Sequence, residues 1–148
     1  MQQETFPKKV NDFIQVCQEH HLKVTPQRMA IYKLLLASNS HPTADAVYQS
    51  VKREYPNISF DTVNRTLLTF ARVGIIEVVE IFGGAKRFDL NVKNHHHLHC
   101  IQCGKVADFT NRAYDNLKIP DTLREQFQVI SKRVVLKGIC KECREQGK

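Results

Sequence analysis

Two cysteine pairs, Cys100-x2-Cys103 and Cys140-x2-Cys143, constrain this chain more than any other feature. Two intervening residues let both sulfurs of a pair reach one ion, so the pairs together supply four thiolates for a tetrahedral Zn(II) site. The 36 residues between the pairs then form a small unit closed by the metal. Redox disulfides or an iron–sulfur cluster are the other readings. Neither accounts as simply for CxxC pairs bracketing a small β-unit in a reducing compartment. The zinc is structural on this reading, and its removal unfolds the C-terminal part. The fifth cysteine, Cys17, falls on an apolar helical stripe, where a buried, inert thiol is expected.

With 148 residues, 42% hydrophobic and 25% charged, the chain is of ordinary globular composition, which excludes disorder and fibrous architectures. No run approaches the roughly 18 consecutive apolar residues of a membrane span. The polar opening Met1-Gln2-Gln3-Glu4 lacks an apolar signal core. A cytoplasmic protein without a membrane partner is expected. Lys and Arg number 22 against 15 Asp and Glu, for a net charge of +7 that permits nucleic-acid binding. Divided near residue 91, the first part holds 11 basic and 9 acidic residues and the second 11 and 6. Four thiolates around one Zn(II) carry a net charge of about −2, so metal binding removes much of the C-terminal excess. Charge alone therefore does not locate a nucleic-acid site.

The first half reads as four helices. Val10, Phe13, Ile14 and Cys17 recur at amphipathic spacing. Thr25-Pro26 offers an N-cap and a first-turn proline for a run with Ala30, Ile31, Leu34 and Leu35 on one side. Thr43 caps a third helix with Ala44, Val47, Tyr48, Val51 and Tyr55 inward, ended by Pro56. Ser59 caps a fourth whose buried stripe is Val63, Leu67, Phe70 and Ala71; Asp61, Thr62, Asn64, Arg65, Thr66 and Thr69 are expected outside, and Gly74 closes it. From Ile75 the pattern becomes β: a Val/Ile-rich run to Phe82, a Gly83-Gly84 turn and a return through Lys86 to Leu90. Helices followed by a two-stranded hairpin are the order of a winged helix-turn-helix, in which the helix before the hairpin enters the major groove. Thr62, Asn64 and Arg65 are then the DNA-contacting candidates, Arg65 foremost because it can reach guanine or phosphate. Lys86 and Arg87 are weaker phosphate candidates.

The polar stretch 91–94 marks a hinge, giving a winged-helix domain over 1–91 and a second domain over 92–148. The second reads as a strand from His95, a turn at Cys103-Gly104, a strand through Val106 to Phe109, a helix around 112–126 and a strand from Phe127 to Leu136. The overall class is α+β. Immediately before Cys100 stands His95-His96-His97-Leu98-His99. On a strand, His95, His97 and His99 share a face, and several imidazoles on one face make a second metal-binding platform. Asp89 and Asp108 are candidate oxygen ligands. Asp108 is the more telling, since an acid on a half-buried strand is costly unless paired or metal-bound. His41, at the turn between helices two and three, could complete a site bridging the two domains. Mixed imidazole and carboxylate donors suit Fe(II), Mn(II) or Zn(II).

Taken in order, Val24-Thr25-Pro26-Gln27-Arg28, His41-Pro42-Thr43-Ala44-Asp45, Thr62-Val63-Asn64-Arg65-Thr66-Leu67, Arg87-Phe88-Asp89, the His-rich run, Cys100-x2-Cys103-Gly104-Lys105-Val106 and Cys140-x2-Cys143 resemble the ferric uptake regulator family over nearly the whole chain. The resemblance implies a homodimeric repressor that binds a double-stranded DNA operator, not an enzyme. It also implies a C-terminal α/β dimerisation domain, a structural zinc and a regulatory Fe(II) or Mn(II) in each subunit. Within the family the chain is most similar to the peroxide-response (PerR-type) branch, whose three-His, two-Asp ligand set falls on His41, Asp89, His95, His97 and Asp108. On that branch the oxidation-sensitive ligands are His41 or His95. The iron-sensing branch usually has Glu at position 108 and often a further metal-binding His near position 132, where this chain has Lys132. The expected function is repression relieved by peroxide through iron-dependent oxidation of a ligand histidine; the alternative is an iron- or other-metal-level sensor of the same family. Two departures stand out. Asn64 replaces the family's usual Tyr and can pair with adenine. His99 adds an imidazole that competes for the metal or faces solvent.

Overall fold

The computed structural model describes residues 5–38, 41–79 and 85–147. The chain divides into two compact units, Met1–Val92 and Lys93–Lys148. The first opens with four helices: α1 (Phe6–Glu19), α2 (Pro26–Ala37), α3 (Ala44–Glu54) and α4 (Phe60–Arg72). Three have side-chain caps, because Thr25, Thr43 and Ser59 each turn a hydroxyl oxygen back onto an otherwise unbonded first-turn amide. Thr25 Oγ1 accepts from Arg28 N at 3.2 Å, Thr43 Oγ1 from Ala46 N at 3.2 Å and Ser59 Oγ from Thr62 N at 3.1 Å. Gly74, at φ +84°, provides the left-handed residue that turns the chain out of α4.

The helices enclose one apolar core containing Phe13, Cys17, Ile31, Leu35, Val47, Val51, Val63, Leu67 and Phe70. Each large side chain removed from water contributes about 1.5–3 kcal/mol before entropy is counted. Tyr32 joins it from the side of α2 that its apolar stripe left out. Its ring stacks on Phe13 at 4.2 Å, and its hydroxyl donates to the Lys9 carbonyl at 3.2 Å. Thr66 is buried, contrary to the sequence expectation. It lies three residues after Val63 and four before Phe70, hence on their face, and its hydroxyl is satisfied by donating to the Thr62 carbonyl at 2.8 Å. Strands β1 (Glu77–Val79) and β2 (Arg87–Asp89) pair antiparallel behind α4, with Val78 opposite Phe88. The expected Gly83-Gly84 turn and the end of its first strand lie outside the described residues.

The second unit is a three-stranded sheet with short helices. Strand β3 (His96–Cys100) is central, flanked by antiparallel β4 (Val106–Phe109) and parallel β5 (Val135–Gly138). The expected helix around 112–126 is two pieces, α5 (Arg112–Asp115) and α6 (Asp121–Gln126). Pro120 lacks an amide hydrogen and biases Ile119 away from helical backbone, so a continuous helix is not available. The expected strand over 127–136 is also corrected. Its pairing with β3 starts at His97 opposite Val135, with the Val134 carbonyl accepting from the His97 amide at 3.0 Å, and residues 127–134 belong to no strand. Helix α7 (Lys141–Glu145) follows. Among the described residues, the buried side chains of this unit are His95, His96, His97 and Cys100, with no large aliphatic residue among them. None of the described helices is long and apolar enough to cross a membrane.

Candidate metal centres

The sheet brings the two cysteine pairs together because β5 runs parallel beside β3. Cys100 ends β3, the turn after it holds Cys103, and Gly138, which faces Cys100 in the ladder, delivers the chain to Cys140 and α7. The four sulfurs lie within 4.8 Å of one another. Cys100 and Cys143 are 3.9 Å apart, and Cys103 and Cys140 3.8 Å. A tetrahedron with metal–sulfur bonds of about 2.3 Å has edges of about 3.8 Å, so the cluster has the dimensions of a four-thiolate zinc site.

Electrostatics within the cluster are uneven. Hydrogen bonding from the Cys103 and Cys140 backbone holds the Cys100 thiol down at about 6. The Cys143 thiol, sharing a hydrogen with Cys140 and desolvated, is pushed up to about 12. The Cys143 backbone favours the Cys140 thiolate, but burial and the neighbouring Cys100 and Cys103 outweigh it and raise that thiol as well. Cys17, by contrast, is fully buried in the first unit's core, and desolvation raises its pKa, as befits an inert thiol.

A second donor set lies on the other side of β3 in the same unit. His95 and His97 project to one face, and Asp108 stands opposite His97 on β4. His95 Nε2 and His97 Nε2 are 3.1 Å apart, and Asp108 Oδ1 lies 3.5 Å from the first and 3.1 Å from the second. For metal–donor bonds of about 2.1 Å, neighbouring octahedral ligands sit about 3.0 Å apart, so the three atoms have the spacing of ligands on one face of a metal. His95 donates from Nδ1 to the Lys93 carbonyl, which fixes its ring and leaves Nε2 directed at the cluster. Both imidazoles are almost wholly buried. His99 lies one side-chain repeat further along the same strand face.

The first unit carries a smaller set of its own. The loop holding His41 is tied to β2: Arg87 donates to the His41 carbonyl at 2.9 Å, and the Phe88 amide to that of Pro42 at 3.0 Å. This places His41 Nε2 3.2 Å from Asp89 Oδ2, with both residues buried. Asp89 Oδ1 accepts from the Asn91 amide at 2.8 Å, so one oxygen is oriented by the backbone while the other faces His41. Arg87, a weaker phosphate candidate from sequence, uses one guanidinium N–H to hold the His41 loop.

On α4, Thr62 and Arg65 are exposed and Asn64 is half-buried. Arg65 pairs with Asp61 one turn earlier at 2.7 Å. Lys132 donates to the Leu117 carbonyl at 2.8 Å. Sequence reasoning missed the role of His96. Its place in the run implied a side chain opposite His95 and His97, but its partners Asp115 and Val134 are remote in sequence.

A model of the ferric uptake regulator family matches residues 19–137. The chain belongs to the ferric uptake regulator family. Curated relatives include the peroxide-responsive repressor PerR of Staphylococcus epidermidis, 35% identical over 144 residues and covering 97% of this chain and 96% of that protein. PerR of Staphylococcus saprophyticus is 36% identical, with 97% of each covered. Among solved structures, the Helicobacter pylori ferric uptake regulator aligns with a TM-score of 0.78 at 25% identity over 97% of each chain. The Campylobacter jejuni peroxide stress regulator aligns at 0.64 and 28%, over 88% of this chain and 98% of that one. The fold of this family member is thus α+β, with an N-terminal helical domain of the DNA-binding type and a C-terminal α/β domain carrying the four-cysteine cluster. Its thiolate and His/Asp donors fit zinc and an iron- or manganese-type metal respectively.

Proposed function

We propose that this metal-responsive repressor of the ferric uptake regulator family senses hydrogen peroxide, with His41, Asp89, His95, His97 and Asp108 together holding one regulatory metal. The observation that carries the reading is Asp108 facing two buried imidazoles at 3.1 and 3.5 Å. Three donors in one unit and two in the other are each an incomplete set; combined, the five would hold an iron- or manganese-type metal and fall one short of six donors. The PerR relatives, at 35% and 36% identity over nearly the full chain, support the same assignment.

Joining donors from both units through one metal restricts how the DNA-binding unit is held. A metal favouring the DNA-competent arrangement about 100-fold contributes roughly 2.7 kcal/mol of bias, a common size for allosteric coupling. Thr62, Asn64 and Arg65 then contact the operator, and exposed apolar residues such as Phe127 and Ile130 face a second copy in the family's dimer. Fe(II), when bound, supplies the redox chemistry, which Mn(II) does not. The imidazole of His41 or His95 gains one oxygen from hydrogen peroxide, and the other oxygen leaves as water. Loss of a ligand releases the metal and with it the DNA.

Operator binding by zinc-loaded protein carrying Fe(II) or Mn(II), before and after dilute peroxide, tests the reading, with mass spectrometry of the His41 and His95 peptides. Loss of binding with iron alone, and one added oxygen on either peptide, is expected. A second reading is favoured by the TM-score of 0.78 to the Helicobacter pylori regulator: a sensor of metal level. Binding that survives peroxide with either metal would establish it instead.

A further inference from the structure

His96 has both ring nitrogens hydrogen-bonded to groups outside the His/Asp donor set. It is fully buried on the opposite side of β3 from His95 and His97. The Val134 amide donates to His96 Nδ1 at 3.0 Å, which puts the ring proton on Nε2. Nε2 then donates to Asp115 Oδ1 at 2.7 Å, and the same oxygen accepts from Asn94 Nδ2 at 3.1 Å. Phe109 and Tyr114 pack against the ring, with centroids at 5.6 and 5.8 Å, and against each other at 5.9 Å.

These contacts come from every side of the strand. Phe109 is its ladder partner on β4, Tyr114 and Asp115 belong to α5, Asn94 precedes β3, and Val134 precedes β5. A one-residue slip or a rotation of β3 would break both ring hydrogen bonds inside a buried site, and buried polar groups left without partners are costly. The same slip would turn His95 and His97 away from Asp108. With neither ring nitrogen available as a lone-pair donor to an ion, His96 has no ligand function in this arrangement.

We propose that His96 and Asp115 form a metal-free lock that sets the register and rotation of β3, and so is a positioning element for the regulatory metal. The role rests on the regulatory-metal reading. Outer hydrogen-bond partners that orient metal ligands change affinity by about 10- to 100-fold when removed. The lock acts one step further out, on the backbone that carries two ligands at once.

The test uses full-length, zinc-loaded protein and Mn(II) titration followed by electron paramagnetic resonance, with Co(II) absorption as a second probe of the ligand geometry. Asp115→Ala removes the acceptor, and about a tenfold weaker manganese affinity with an altered Co(II) spectrum is expected, at an unchanged stoichiometry. Asp115→Asn keeps a carbonyl oxygen for Nε2–H but is a poor metal ligand, so affinity within about threefold of wild type and a wild-type spectrum are expected. Should Asp115→Ala fail to fold, Asp115→Asn still decides. A tenfold loss there, or loss of one bound equivalent, would overturn the lock in favour of a ligand role. Wild-type affinity and spectrum in a folded Asp115→Ala would overturn it as well. His97→Ala is the control for the underlying site: undiminished manganese binding in that variant removes the site, and the lock's function with it.

Discussion

Extraction of zinc should unfold the second unit and leave the first standing. The second unit buries three histidines and Cys100 among its described residues but no large aliphatic side chain, whereas the first encloses twelve buried core residues. A structural zinc in a small site provides about 10–16 kcal/mol at pH 7. That equals or exceeds the roughly 5–15 kcal/mol net stability of an ordinary domain. No other interaction in the sheet has that magnitude, so a strong chelator removes the main stabilising term of β3, β4 and β5. Far-ultraviolet circular dichroism should nevertheless fall little. The second unit's helices are four, six and five residues long, against eleven to fourteen for the four helices of the first, so roughly a quarter of the helical residues are at stake. Hydrogen exchange should show the β3–β5 amides losing protection while α1–α4 retain theirs. Persistent protection of the His97 and Cys100 amides in zinc-free protein would refute the argument, and so would loss of both units in one transition.

Three further outcomes follow from the same geometry. Asp108→Glu should keep manganese-dependent operator binding but abolish its release by peroxide in the iron form; undiminished release would show that carboxylate length at this position is not decisive. Arg65→Ala, which also frees Asp61, should weaken operator binding by about 1–3 kcal/mol in a fluorescence anisotropy titration, and unchanged affinity would take α4 out of the interface. Zinc loading should become tighter as pH rises. In the zinc-free chain the second unit is unfolded, so its four thiols sit near the ordinary value of about 8.5 and zinc must displace their protons. The logarithm of the affinity should then climb with a slope of about two or more between pH 7 and 8, and a flat profile in a competition assay would contradict this.

Local signals in the sequence carried much of this fold. The caps at Thr25, Thr43 and Ser59 and the stripes ending in Cys17 and Ala71 are determined by residues three and four apart, and such spacings can be read without knowing the rest of the chain. The four-cysteine cluster was legible for the same reason, since each pair is local and the metal relates the two. The second unit was harder. Whether β5 lies parallel beside β3, and where its ladder begins, depends on a pairing across 38 residues, from His97 to Val135. A Phe-Gln-Val-Ile run has strand-like composition whether or not a partner lies beside it. His96 shows the same limit at the level of one side chain. Periodicity tells which face it takes, but only the folded positions of Asp115 and Val134 tell what holds it there.

The parallel pairing of β3 with β5 also has a consequence for the order of events during synthesis. The four helices of the first unit make their contacts within the first half of the chain, so they can fold while the rest is still being made. The zinc site cannot. Cys100 and Cys103 emerge first, but their partners follow α5, α6 and β5, and β5 must find the edge of β3 across 38 residues. A nascent chain thus passes through a stage with a finished DNA-binding fold and two exposed thiols awaiting a metal. The second unit is completed only when the last pair has emerged and zinc joins it to the first.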